Sequence, residues 1–343
     1  MSSDPPVEAV TFIDREPSSG FMAVDRACLE ASFSVRRIVY PGRITAGYIL
    51  ECVRAAFRTR AVYVFFASEH SLVPCILFRL LGRRVVLVQG GYDYANLPDH
   101  NYGLTARGRG WLPRLVGRLC TVSLAISDQS RWEFLALVPS AAPRTRLSHL
   151  ALDPDQWTDP EVPRDDNQVV TFGYIDEEAY SRKGIDRFVA AAALDRSRRY
   201  VLAGEISPDI AERIRSIAPP NLVVLGHQRH DQLRGLLWSS GVYAQLSWHE
   251  TFGVAMAEAM LCGCVPVIGQ SAALAEIAGV WAVHAGDGHE PAHDTAAIGR
   301  AVDAGCAMDR AAIRSDVTRR FSPRQRGEAL RAALSGEPTG TGR

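Results

Sequence analysis

Residues 241–269 read GVYAQLSWHETFGVAMAEAMLCGCVPVIG, and their order decides the fold. A β-like apolar run, VYAQL, enters a short polar loop, SWHE. A helical stretch, FGVAMAEAMLCG, follows and stops at Gly263, and a second β-like run, CVPVIG, comes straight after. Two apolar strands joined through a helix form a βαβ unit, which implies a parallel sheet covered by helices. On this reading the helix opens at Thr251 or Phe252.

The same alternation extends outward from this unit. Towards the C-terminus lies VWAVHA (from Val280). Upstream lie NLVVLGH (from Asn221), RYVLAGE (from Arg199) and QVVTFGY (from Gln168). The polar, proline-bearing stretch DPDQWTDPEVPRDDNQ (from Asp153) interrupts the rhythm as a linker would. Before it come VEAVTFID (from Val7), SVRRIVYP (from Ser34), AVYVFFA (from Ala61), RRVVLVQGG (from Arg83) and TVSLAIS (from Thr121). Between these, AVDRACLEA, TAGYILECVRAAFRT and HSLVPCILFRLL carry helical spacing. The expected organisation is two doubly wound α/β domains of ordinary size: residues 1–152, a linker over 153–168, and residues 169–318. A helix over 319–335, FSPRQRGEALRAAL, is expected to cross back to the first domain, and 336–343 to form a disordered tail. Ligands of such sheets bind beyond the carboxyl ends of the strands, so the cleft between the domains is the expected site.

Composition narrows the function. At 47% hydrophobic and 22% charged the chain cannot be wholly disordered, and equal counts of 38 basic and 38 acidic residues argue against a nucleic-acid partner. No apolar run is long enough to span a membrane, and MSSDPPVEAV lacks the features of a signal peptide, so a cytoplasmic protein is expected. The seven cysteines read as reduced core residues. Cys262 and Cys264 have no second Cys/His pair nearby, so no metal site is expected. ARGRGWLPRLVGRL (from Ala106) reads either as a core-facing helix with arginines outward or as a peripheral contact with the inner membrane face.

The dinucleotide fingerprint is missing: REPSSGFMAVD, after the first strand, holds only Gly20 where G-x-G-x-x-G needs three glycines. The helix opening near Phe252 and Gly253 instead suits a phosphate or diphosphate, because first-turn N–H groups lack intrahelical partners and carry the positive end of the helix dipole. Glu250 and Glu258 are eight residues apart, about 12 Å if helical throughout. A glycosidase pair needs about 5 to 9.5 Å. Two carboxylates flanking a diphosphate site suit a long ligand with hydroxyls at both ends, as in a nucleotide sugar. The alternative is a solvated Glu250 and a helix-face Glu258. In YSRKGIDRF (from Tyr180), Lys183 is the only lysine; every other basic residue is arginine. A compact ammonium beside a phosphate explains that choice, and chance placement is the alternative.

These residues resemble the retaining GT-B glycosyltransferases of family 4. Glu250 to Glu258, with Phe252 and Gly253 between, looks like the family's E-x7-E motif; SRKG resembles its diphosphate clamp; CGCVPVIG with Ala273 to Glu276 resembles its next strand and loop. GGYDYANLP (from Gly90) and NYG (from Asn101) are similar to acceptor-side loops. The resemblance implies two Rossmann-like domains and a metal-independent transfer of sugar from a nucleoside diphosphate with retained anomeric configuration, the nucleotide sugar being co-substrate and no cofactor being needed. It implies Glu250 at the donor sugar's hydroxyls and Glu258 at the ribose. The segment from Thr251 to Val254, with Arg182 and Lys183, would hold the diphosphate; Gln228, in GHQ, would lie at the base, and Gly20 against phosphates or acceptor. The acceptor would be a glycan, a lipid-linked glycan or a natural product. The family pattern places an arginine after Gly173, where this chain has Tyr174, and a histidine where it has Gln89, Gly90 and Gly91. Gln89, Gly91, Asp93 and His70 are therefore candidate sugar or acceptor contacts. A lone histidine such as His70 is more often a cap or surface group than a functional contact, and Asp93 reads equally as part of a tight turn. A binding-only protein and a sugar-nucleotide epimerase are the competing functions.

Overall fold

The computed structural model describes residues 9–16, 18–287, 290–305 and 308–335. The chain divides into two compact units: Met1–Leu152 with Phe321–Arg343, and Asp153–Arg320.

The first unit runs β1 (Ala9–Arg15), α1 (Gly20–Glu30), β2 (Ser34–Tyr40), α2 (Ala46–Arg58), β3 (Ala61–Phe65), α3 (Glu69–Leu80), β4 (Arg84–Val88), α4 (Trp111–Leu119), β5 (Val122–Ala125), α5 (Asp128–Leu137) and β6 (Thr145–Leu147). The second runs β7 (Asp165–Phe172), α6 (Glu177–Arg182), α7 (Ile185–Leu194), β8 (Arg199–Ala203), α8 (Pro208–Ile217), β9 (Leu222–Val224), α9 (His230–Trp238), β10 (Ser240–Gln245), α10 (Val254–Leu261), β11 (Val265–Ile268), α11 (Ala272–Ala278), β12 (Val283–His284), α12 (Pro291–Gly305) and α13 (Arg310–Arg320). The last helix, α14 (Pro323–Ser335), belongs to the first unit.

Each unit holds one parallel six-stranded sheet, in the orders β2-β1-β3-β4-β5-β6 and β12-β11-β10-β7-β8-β9. The fold is thus two Rossmann-like α/β domains of the GT-B type. Central strands such as AVYVF in β3 are buried along their whole length, because helices cover both faces of a parallel sheet. Strand order reverses between β1 and β3 in one sheet and between β7 and β10 in the other. At such reversals the connections leave to opposite faces and open a crevice at the strands' carboxyl ends.

Several boundaries differ from the sequence reading. Strand β7 starts at Asp165, inside the expected linker, because Asp165 pairs with Ser240 of β10. Of VWAVHA, only Val283 and His284 form a strand, after a single 3₁₀ turn over Gly279–Trp281. The helix expected over 319–335 is broken: α13 ends at Arg320 and α14 begins at Pro323, a residue that suits the first turn of a helix and not its interior. The expected tail, 336–343, lies outside the described residues.

Buried charges on the helices are paired. Arg326 of α14 grips Asp25 of α1 through two hydrogen bonds, 2.9 and 2.6 Å, and also donates to the Tyr63 hydroxyl at 3.2 Å. In the second unit Arg187 of α7 holds Asp294 of α12 in the same forked manner, at 2.9 and 2.6 Å. The forks compensate charges that burial would otherwise penalise. Helix α4 buries Leu112 and Val116 and leaves Trp111 and Leu115 exposed. Among the described residues no helix is long and apolar enough to cross a membrane.

Candidate functional site

In the second unit the crevice lies at the ends of β7 and β10. Strand β10 closes on Gln245, and the chain loops through Leu246–Phe252 before α10 starts at Val254. The helix therefore opens later than Thr251 or Phe252, because Gly253 precedes it in the left-handed conformation (φ 84°), which terminates helical geometry on its N-terminal side. The spacing based on continuous helix does not apply to Glu250, which sits in the loop. No side chain caps α10, so its first-turn amides keep the donor character and dipole of an anion-binding terminus.

Lys183 is brought to this loop by backbone stitching. It follows α6, and Gly184 (φ 68°) lies so close to β10 that a Cβ there would stand 2.2 Å from the Leu246 carbonyl oxygen. The Trp248 amide donates to the Arg182 carbonyl at 2.9 Å, and Ser247 Oγ to the Lys183 carbonyl at 3.4 Å. The Lys183 ammonium donates to the Tyr174 carbonyl at 3.2 Å. Burial pulls its pKa below the ordinary lysine value, and the Glu250 carboxylate opposes that shift. Lys183 is thus half-buried and within electrostatic reach of Glu250.

Glu250 is held in place. Its Oε1 accepts from Gln245 Nε2 at 3.0 Å and from Ser247 Oγ at 3.3 Å, and its amide donates to Ser271 Oγ at 3.0 Å. Arg182, by contrast, is buried, pairs with Glu178 at 3.5 Å and donates to the His249 carbonyl at 3.4 Å. Its guanidinium braces the loop that carries Glu250. The Phe252 side chain is buried.

Glu258 is different in kind. It stands in the second turn of α10, flanked by the buried Ala257 and Ala259, and no hydrogen-bond or ion-pair partner reaches its carboxylate among the described residues. Burial alone pushes its pKa up to about 8. Burial raises the pKa of the Tyr243 hydroxyl of β10, and Glu250 and Glu258 both add to that rise. Glu258 is half-buried, and desolvation without a compensating partner is what raises its pKa.

Beside this loop, at the ends of β7, β8 and β9, a cavity of about 240 Å³ is lined by Phe172, Gly173, Tyr174, Glu205, His227 and Gln228. Gln228 is half-buried, with its Nε2 donating to the Gly226 and His227 carbonyls at 3.1 and 3.2 Å. Tyr174 is 54% exposed at this rim.

In the first unit the remaining candidates separate into surface and interior. Gly20 opens α1 in the exposed turn after β1. Asp93 is buried, and its carboxylate accepts from the amides of Ala67 and Gly91 at 2.7 and 2.8 Å, so it anchors the turn that contains Gly91. Burial, opposed by these bonds, leaves its pKa at about 6. Gln89 is buried and donates to Ser123 Oγ at 2.9 Å. His70 begins α3 with Nε2 2.6 Å from the Phe65 carbonyl and Nδ1 2.8 Å from Ser68 Oγ. Since a carbonyl only accepts, Nε2 carries the proton and Nδ1 accepts. Burial lowers its pKa to about 4, so the ring is neutral near pH 7. It lines a cavity of about 320 Å³ at the β1/β3 reversal, with Arg15, Tyr40, Glu69, Tyr92 and Arg109.

Residues 166–303 match the model of the family Glycosyl transferases group 1. The matched segment contains Lys183, Glu250, Glu258 and the cavity beside them. No curated protein sequence matches the chain. Among solved structures the chain resembles HepE of Anabaena, crystallised with UDP and glucose, at 17% identity and a TM-score of 0.74, over 96% of this chain and 100% of that one. It resembles sucrose-phosphate synthase of Thermosynechococcus elongatus at 15% identity and the same TM-score of 0.74, over 96% and 100%. A glycosyltransferase of Rickettsia africae aligns at 11% identity with a TM-score of 0.71, over 97% and 100%. At these identities the likeness establishes the fold.

Within the segment that matches glycosyl transferases group 1, sequence reasoning missed Gln245, Ser247 and Ser271, which fix Glu250. Gln245 carried a signal: an amide ending an otherwise apolar strand that is buried throughout. Ser271 carried none, since it meets Glu250 across 21 residues of chain.

Proposed function

We propose that the protein is a glycosyltransferase that moves a sugar from a nucleoside diphosphate to an acceptor hydroxyl, retaining anomeric configuration and requiring no metal. The observation that supports this reading is Lys183 within electrostatic reach of Glu250, whose loop runs into an uncapped helix that carries an acid without a partner among the described residues. A diphosphate supplies the anion that Lys183 and the α10 amides lack, and ribose hydroxyls supply the donors that Glu258 lacks. Glu250, fixed by Gln245 and Ser247, keeps lone pairs for the sugar's hydroxyls. As the bond from the anomeric carbon to the β-phosphate oxygen breaks, negative charge grows on that oxygen. A fixed ammonium and a helix N-terminus stabilise it without reorganising. Lys183 thereby provides the positive charge that a divalent ion supplies in metal-dependent transfer. The cavity at Tyr174 and Gln228 takes the base. The match of residues 166–303 to glycosyl transferases group 1 and the UDP and glucose bound by HepE support the same assignment.

The test is incubation with a panel of nucleoside diphosphate sugars and acceptors, with and without chelator. Nucleoside diphosphate should be released, chelator should have no effect, and NMR of the product should show the donor's anomeric configuration. Binding without release would identify a binding protein. Conversion of the donor sugar without acceptor would identify an epimerase.

A further inference from the structure

The cavity of the first unit has a chemical character of its own. Arg15 and Tyr40 are register partners at the ends of β1 and β2, which puts their side chains on one face of the sheet. Both line the cavity at the β1/β3 reversal. The Tyr40 hydroxyl is buried with no hydrogen-bond partner, a costly state for a group that folding has removed from water. Its neighbours hold it by ring contacts alone, edge-on to Tyr48 and tilted on His70.

The cavity is lined by two arginines and two glutamates, but their pairing is uneven. Glu69 is paired with Arg109, and Glu16 with Arg37 at 3.0 Å. Asp14, next to Arg15, is held by Arg37 at 2.7 Å and Arg26 at 3.1 Å. Every carboxylate near the cavity therefore has its arginine, while the Arg15 guanidinium has no side-chain or carbonyl partner among the described residues. His70 is neutral near pH 7, with both ring nitrogens engaged, and adds no charge. What the exposed Arg15 fork and the buried Tyr40 hydroxyl lack is a hydrogen-bond acceptor that both can share.

From this geometry we infer that the cavity holds an acidic group of the acceptor, a carboxylate or a phosphate ester, with Arg15 pairing its charge and Tyr40 donating to one of its oxygens. The acceptor is then an acidic saccharide, a uronate or a sugar phosphate, whose ring lies against Tyr92. This assignment rests on the glycosyl-transfer reading for the word acceptor, but the site itself is testable apart from it. Charge-assisted bonds from a guanidinium to a carboxylate or phosphate are about twice as strong as neutral ones, and the fork matches both anions.

The experiment is calorimetric titration of the full chain with glucuronate, glucose 6-phosphate and glucose, repeated on Arg15→Gln, Arg15→Lys and Tyr40→Phe. At least one acidic sugar should bind about tenfold or more tighter than glucose. Response to glucuronate alone selects a carboxylate, and response to glucose 6-phosphate alone selects a phosphate. Arg15→Gln should erase the preference, Arg15→Lys should retain most of it, and Tyr40→Phe should weaken it about threefold to tenfold. Glucose binding as tightly as both acids, no sugar binding, or a preference that survives Arg15→Gln would overturn the assignment. If Arg15→Gln fails to fold, Tyr40→Phe still decides: an unchanged affinity overturns it. Acidic sugars bound through Arg15 without any sugar transfer would sink the transferase reading and leave the site standing. Transfer to neutral acceptors, undiminished in Arg15→Gln, would do the reverse.

Discussion

Two acids on helices, one fully buried in the first unit and one half-buried in the second, show how differently a fold can treat the same functional group. Asp25 lies at 0% exposure, and both its oxygens are held by the fork of Arg326, with Tyr63 adding a third contact. Glu258 is flanked by buried alanines and has no partner among the described residues, and burial pushes its pKa up to about 8. The first arrangement is closed: every lone pair of consequence is satisfied within the protein. The second is open, and it sits where the strand order reverses. The contrast teaches that compensation separates a charge the fold has satisfied from one it leaves open.

The sharpest way to break the comparison is Arg326→Ala. It strands Asp25 as an uncompensated buried charge, and should cost about 3–5 kcal/mol. For a domain of this size that lowers the melting temperature by roughly 6–20 °C, while calorimetry should show nucleotide affinity unchanged in the folded fraction. Loss of nucleotide binding without loss of stability would erase the distinction between the two acids.

Lys183→Ala should act the opposite way. Turnover should fall about 10²–10³-fold, the usual effect of removing one preorganised donor to developing charge. Its melting temperature should be unchanged or higher, because burial already disfavours the charged lysine in the folded state. Lys183→Arg restores the charge but not the fit: a Cβ on Gly173 would already stand 3.2 Å from the ammonium, so a guanidinium has little room. Steady-state kinetics on both variants should show Arg recovering only a minor part of the loss.

The smallest effect is the most diagnostic. Because the folded pKa of Glu258 is raised from 4.5 to about 8, the unfolded chain gives up this proton first. The group's contribution to stability is full below about pH 4.5, declines as pH rises towards 8, and is flat above it. Glu258→Gln removes this dependence. Its melting temperature relative to the parent should climb by a few degrees across that window while donor affinity drops; a constant offset at all pH values would contradict an unpartnered acid.

Much of this was legible in the sequence. Apolar runs rich in β-branched residues located the strands, and the carboxylate set among alanines in AMAEAML pointed to Glu258. Strand β6, the edge segment TRL, was not legible, since three residues without apolar alternation carry no periodic signal. The opening of α10 was misplaced because Phe252 and Thr251 look helical in sequence, whereas the left-handed Gly253 delays the helix. The cavity of the first unit was hidden for a different reason. Arg15 and Tyr40 are ordinary residues at two strand ends, and only sheet register makes them neighbours.

The return of α14 to the first unit has a consequence for synthesis. Residues 153–320 are contiguous and complete before the ribosome reaches α14. The first unit must wait for Arg326, which closes on Asp25 only when almost the entire chain has been made. The half translated earliest is thus the half finished last, and a premature stop near residue 322 would cripple the amino-terminal domain while sparing its neighbour.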